Sequence, residues 1–340
     1  MDVFRHLPGK GLFMIITKLI EDNKKLQALS KLQFAKDIDI GLSATPKNLS
    51  SKYFYDTKGS QIFQEITKLD EYYLTRSELE ILENIKNILP DLVGKNEVDI
   101  VELGVGDGHK TKIIINSFLD KNIKVNFFPI DISAEAMHLL EDHISESKNL
   151  NMHAVVGEYI EGMNFAREHS KNRQIVLFLG SNIGNFNKNE GQHILRKIKS
   201  ILKKDDFLLI GFDLKKDIEF MTRAYSDHEG ITARFNLNLL ERINTELGAD
   251  FDVENFEHQA IYNPELGAME SYLISLKNQI VSIAELKKKF SFEAFESIHL
   301  EYSFKFLEKD IQDLSVQGGF KRIGNFKDGN QYFIDSLWQV

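Results

Sequence analysis

From Val98 onward, short apolar runs alternate with helical stretches, and this rhythm constrains the fold more than any other feature of the chain. The expected strands are Val98–Leu103, Val125–Ile130, His153–Val156, Ile175–Leu179 and Phe207–Phe212. Between and after them, Lys110–Leu119, Ala134–Ser145, Tyr159–Arg167, Glu190–Leu202 and Lys215–Tyr225 read as helices. Strands that are apolar throughout belong in a sheet covered on both faces, and the intervening helices predict parallel pairing. The first strand runs into Glu102-Leu103-Gly104-Val105-Gly106-Asp107-Gly108. Glycines without Cβ let a backbone approach a ligand closely, which suits an extended adenosine cofactor. A dinucleotide fingerprint would place its third glycine where this chain has His109. The spacing G-x-G-x-G favours an S-adenosylmethionine turn over a pyrophosphate turn; a plain tight turn is the bland alternative.

Beyond Tyr225 the rhythm changes. Thr232–Leu247 is predicted as one amphipathic helix, with Phe235, Leu239, Leu240, Ile243 and Leu247 at helical spacing and Gly248 as its stop. Residues 259–283 read as short strands, Ser297–Phe306 as another, and Lys309–Gln317 as a helix. Lys321–Lys327 and Tyr332–Trp338 form a hairpin across Asp328-Gly329-Asn330. The expected organisation is an N-terminal extension (1–30, helical or partly ordered), a cofactor-binding domain (80–216 with 305–340) and a second, substrate-binding lobe (31–79 with 217–304). The stretch before residue 80 otherwise reads as loop.

With 42% apolar and 27% charged residues, the 340-residue chain has the make-up of an ordinary globular protein. It contains no cysteine, which excludes a disulfide scaffold, a thiol nucleophile and a thiolate zinc site. Ten histidines show neither H-x-x-x-H nor H-E-x-x-H, so no metal is expected, and no G-x-S-x-G elbow is present. A net charge of −9 gives a nucleic-acid partner no electrostatic support. Lys203-Lys204 and Lys287-Lys288-Lys289 read as solvated helix faces or ends. The apolar stretch Gly11–Ile20 is short and broken by Lys18, so no membrane span and no export are expected, and the protein is taken as cytoplasmic.

Several groups stand where the carboxyl edge of such a sheet would be. Asp131 ends the second strand, where a carboxylate can accept both ribose hydroxyls; the competing reading is a helix cap shared with Ser133. Glu158 can accept from an adenine amino group while Tyr159 packs on the ring, though a surface acid beside a core tyrosine reads equally well. Gly180-Ser181-Asn182-Ile183-Gly184-Asn185 follows the fourth strand and offers the Asn185 amide to a ligand. Tyr53-Phe54-Tyr55-Asp56 and Glu71-Tyr72-Tyr73 can wall a small polar substrate, or simply be structural tyrosines. Glu301 and Ser303 share one face of a strand and could together hold an imidazole, or form a solvent-facing alternation.

Taken in order, these blocks resemble one family, the histidine-specific, S-adenosylmethionine-dependent Nα-methyltransferases of ergothioneine biosynthesis. The likeness runs from about Ser50 to the C-terminus. It lies in Tyr53-Phe54-Tyr55-Asp56 with Gly59-Ser60, Glu71-Tyr72-Tyr73 with Thr75-Arg76, and Glu102-Leu103-Gly104. It continues in Lys110-Thr111, Phe178 to Asn185, Asp213 to Asp217, Thr232 to Asn238 and Glu246 to Asp252. The resemblance implies a Rossmann-like class I methyltransferase fold. It also implies cofactor binding by Gly104, Gly106, Lys110, Asp131, Glu158, Tyr159 and Gly180. Tyr72, Asn185 and Tyr225 would hold the α-amino acid end of L-histidine, Glu301 and Ser303 would grip its imidazole, and Tyr55 would be the catalytic residue beside the reacting amine. Ser271 stands where a bulky apolar residue is expected against the substrate. The implied product is the trimethylated betaine, hercynine, and the implied state a monomer. Three rivals remain at this level: another amino acid or an aromatic amine as acceptor, a nicotinamide-dependent oxidoreductase, and a silent protein that keeps the fold.

Overall fold

The computed structural model describes residues 2–5, 14–18, 23–94, 96–132, 136, 137, 140, 143, 144 and 147–340, with the backbone alone for 2–5, 14, 18 and 23–30. The expected helix over Ala134–Ser145 lies partly outside the described residues, and the proposed capping residue Ser133 wholly outside them.

The strands are β1 (Asp2–Arg5), β2 (Met14–Lys18), β3 (Lys47–Asn48), β4 (Glu97–Leu103), β5 (Lys124–Asp131), β6 (Leu150–Val156), β7 (Arg173–Phe178) and β8 (Phe207–Asp213). They continue with β9 (Phe256–Asn263), β10 (Ala268–Ser275), β11 (Gln279–Ile283), β12 (Lys288–Phe292), β13 (Ser297–Phe304), β14 (Lys321–Lys327) and β15 (Phe333–Gln339). The chain divides into two compact units, one of Met1–Glu21, Leu74–Lys215 and Lys305–Val340, the other of Asp22–Tyr73 and Lys216–Phe304.

The first unit is built on a nine-stranded sheet in the order β1-β2-β6-β5-β4-β7-β8-β15-β14. From β2 to β8 every neighbouring pair is parallel. The apolar runs explain this: Val98, Ile100, Val101 and Leu103 of β4 are all buried, so both sheet faces must be covered. β4 has β5 on one side and β7 on the other, which makes it the point where the winding direction reverses. The C-terminal hairpin pairs antiparallel and buries Trp338 completely. Asp328 holds its turn by accepting from the amides of Tyr332 (2.7 Å) and Phe333 (2.8 Å). Residues 1–30, read as an extension, include β1 and β2, which pair with each other and extend the sheet beside β6.

The second unit packs helices on the sheet β3-β13-β10-β9, with β11 and β12 as a separate pair. The helix Ile231–Leu247 supplies Phe235, Leu239, Leu240, Ile243 and Leu247 to its core, and Gly248 ends it at φ 64°. The region before residue 80 is not loop: it holds helices Asn23–Ser43, Thr57–Ile66 and the start of Tyr73–Ile85. Aromatic and polar residues are mixed there because a single stripe of each helix is buried. Lys288 and Lys289, read as a helix face or end, instead open β12 with exposed side chains.

Candidate active site

In the sheet unit, the glycine turn joins β4 to the helix His109–Leu119. Gly104, Gly106 and Gly108 have φ of 76°, 59° and 76°, so each adopts a left-handed conformation that disfavours a side chain. A Cβ on Gly104 would stand 3.1 Å from the Tyr159 hydroxyl and 3.2 Å from Asn182 Nδ2. On Gly108 it would meet Leu140 at 2.3 Å. Asp131 ends β5 beside this turn, its carbonyl accepting from Gly157 at 2.9 Å. Glu158 precedes the helix Tyr159–His169 as an exposed acid. The Tyr159 ring lies edge-on to Phe178, with centroids 5.7 Å apart. Burial, then the nearby Asp131 and Glu158, raise the Tyr159 hydroxyl pKa, so it stays a neutral donor.

Gly180 follows β7 at φ 73°, and Ser181 takes the same left-handed region at φ 56° although it has a side chain. Its hydroxyl accepts from the amide of Asp213 at 3.1 Å, which helps hold this costly conformation. Asn185 closes the short 3-10 turn Asn182–Asn185 that follows.

Beneath these turns lies a buried charge cluster. Lys110 pairs with Glu78 at 2.5 Å, and both Glu78 oxygens accept from the Gly180 amide at 2.8 and 3.0 Å. Burial acts to lower the Lys110 pKa, but Glu78 outweighs it and the ammonium is held above its ordinary value. Glu102 on β4 is pushed up to about 8, chiefly by burial, even though Thr111 donates to it and Lys110 is near. Asp335 on β15 is raised well above the carboxylate range by burial and by Glu78.

This donor and acceptor set fits S-adenosylmethionine. Glycine turns leave room for backbone approach, and Asp131 offers a carboxylate to a ribose.

In the second unit, β10 and β13 pair so that Ser271 faces Glu301 and Met269 faces Ser303. The two pairs are two residues apart in regular register, so they share one face, and the register shifts only after Ser271. Ser303 Oγ lies 2.8 Å from the Tyr225 hydroxyl. Asp227 fixes the segment after Tyr225, accepting from the amides of Ile231 (2.8 Å) and Thr232 (2.7 Å). Burial raises its pKa, but the hydrogen bonds from Thr232 and Ile231 prevail, and the pKa ends below the ordinary value. Tyr55 and Tyr72 both pack edge-on against Phe63, at 5.5 and 6.2 Å. Asp56 caps the helix Thr57–Ile66, accepting from Gly59 at 2.6 Å and from Asn238 at 2.9 Å. Gly59 is needed because a Cβ there would stand 1.8 Å from the Phe54 carbonyl oxygen. Among the described residues, no group of three or more His, Asp or Glu could hold a metal ion.

Residues 34–340 match the family of histidine-specific, S-adenosylmethionine-dependent methyltransferases. The chain belongs to that family. It is 35% identical over 288 residues to the histidine N-alpha-methyltransferase of Mycolicibacterium smegmatis, covering 84% of this chain and 88% of the relative. It is 35% identical over 294 residues to the protein of the same name from Mycobacterium tuberculosis, with 86% and 90% covered. Ergothioneine biosynthesis protein 1 of Schizosaccharomyces pombe is 31% identical over 292 residues, covering 82% of this chain and 37% of that longer protein.

Family membership sets aside the nicotinamide-dependent oxidoreductase as a reading of this methyltransferase. The structure brings Ser271 to Glu301 and Tyr225 to Ser303, while Gly104 and Tyr159 meet at the end of β4 and Lys110 and Gly180 meet near Glu78. Asn185 belongs to the sheet unit, and Tyr55, Tyr72 and Tyr225 to the other. Sequence reasoning missed Glu78, Asp335 and Met269. Glu78 looks like an ordinary helical acid, and only its complete burial marks it. Met269 is a buried apolar side chain on the same face as Ser271, two positions earlier.

Proposed function

We propose that this protein transfers methyl groups from S-adenosylmethionine to the α-amino group of L-histidine, and does so up to the trimethylated betaine. The observation that carries the acceptor is the polar face of β10 and β13, where Ser271, Glu301, Ser303 and, through Ser303, Tyr225 lie together. An imidazole presents two ring nitrogens, and a carboxylate beside a hydroxyl complements them. S-adenosylmethionine, when bound, supplies an electrophilic methyl on a sulfonium. The chain's own residues then have three tasks. Gly104, Gly106, Lys110, Asp131, Glu158, Tyr159 and Gly180 hold the cofactor. Tyr72, Asn185 and Tyr225 hold the amino-acid end of histidine. Tyr55 orients the amine, which must be neutral to attack, so its proton passes to water. Positioning of this kind can account for about 7–11 kcal/mol of a barrier.

Glu301→Ala tests the assignment by calorimetry. Loss of a charge-assisted hydrogen bond predicts histidine affinity weaker by at least about tenfold, with cofactor affinity unchanged. Unchanged histidine binding would remove Glu301 from the pocket, and equal losses of both ligands would mark a folding defect.

A further inference from the structure

We propose that Glu78 is a positioning residue for the amino-acid tail of the cofactor, seated by Gly211 and Asp335. The inference rests on reading the β4 turn as the S-adenosylmethionine site and extends it to the opposite side of that turn.

The strand order gives the direction. Asp131, suited to the ribose, ends β5; Gly104 ends β4; Gly180 follows β7. A nucleoside anchored at β5 and crossing β4 therefore extends its tail toward β7. The group waiting there is Lys110, whose Nζ stands 3.4 Å from where a Gly180 Cβ would be. An ammonium complements the α-carboxylate of such a tail. Glu78 determines where both partners sit. One carboxylate takes Lys110 at 2.5 Å and the Gly180 amide at 2.8 and 3.0 Å, so the lysine and the β7 turn share one brace.

The sheet has been shaped to receive this side chain. A Cβ on Gly211 of β8 would fall 2.3 Å from Glu78 Oε1 and 2.9 Å from the Phe333 ring, so a side chain there would push the carboxylate out of its present seat. Asp335 is the cross-strand partner of Gly211, is completely buried, and neither of its oxygens meets a donor. Burial and the neighbouring Glu78 raise its pKa, which favours its neutral form beside Glu78. Stability alone is a poor account of such an arrangement, because well-packed apolar replacements of buried ion pairs are often no less stable.

The test uses S-adenosylhomocysteine and 5′-methylthioadenosine, which share the nucleoside but differ in the amino-acid tail. Calorimetry on Glu78→Gln is expected to show S-adenosylhomocysteine weakened by at least about tenfold and 5′-methylthioadenosine held within about twofold. Equal losses, or no loss, would overturn the proposal. A wild-type protein that binds neither compound would instead overturn the cofactor reading beneath it. Hydrogen exchange of the ligand-free wild type gives a second measurement that does not depend on the variant folding. The Gly180 amide is expected to be protected before any ligand is added. Free exchange at Gly180 until S-adenosylhomocysteine binds would show that Glu78 does not hold it.

Discussion

In the proposed mechanism single residues carry the chemistry, and Tyr55 is the one assigned to the reacting amine. It packs edge-on to Phe63 and Phe235, which limits its ring to few orientations. A hydroxyl so placed orients an amine without acting as a strong base. Tyr55→Phe is therefore expected to lower kcat about tenfold or more while changing histidine affinity little, measured by steady-state kinetics beside calorimetry. Turnover equal to wild type would remove Tyr55 from the mechanism. At this scale the glycine pattern was legible as a turn, and all three glycines adopt the left-handed conformation that selects glycine. It did not show Glu78 or Asp335. Their role depends on burial and on pairing across 32 to 257 positions of chain, with Lys110 as the near partner of Glu78 and Asp335 as the far one.

At the scale of elements, the alternation of strands and helices was legible because apolar runs and helical stripes have different periods. The helix Ile231–Leu247 and the hairpin of β14 and β15 follow their patterns closely. The helices before residue 80 were less legible, since turn-forming and aromatic residues fill their ends: Asp56 and Gly59 look like a loop until the cap is seen. Asp227, three positions before the N-cap Gly230, also holds a helix start by accepting from the Ile231 and Thr232 amides, and it bears a prediction. Its folded pKa lies below the ordinary carboxylate value, so its contribution is complete above pH about 4 and is lost as pH falls through the folded value. Asp227→Ala is expected to cost about 1 kcal/mol at neutral pH. The difference from wild type should close below about pH 4 in thermal unfolding across pH 3 to 7. A gap constant with pH would contradict this. His258, which burial pushes down to about 4 against an opposing pull from Asp227, adds its own loss of stability as pH falls below about 6.5.

At the scale of the whole molecule, one unit is a largely parallel sheet with a reversal point at β4, and the other is built on β10 and β13, where Ser271 faces Glu301. Among the described residues, no helix is long and apolar enough to cross a membrane. The addition of β1 and β2 to the large sheet was not legible in the sequence, because two short strands are recognised only by their partners. The central claim is that this chain methylates L-histidine, and one measurement addresses it directly. Purified protein is incubated with S-adenosylmethionine and an equimolar mixture of the standard amino acids, and the products are weighed by mass spectrometry. The account predicts histidine carrying added methyl groups, ending at three, with the other amino acids unchanged. Methylation of a different amino acid, or none with the cofactor bound, would contradict it.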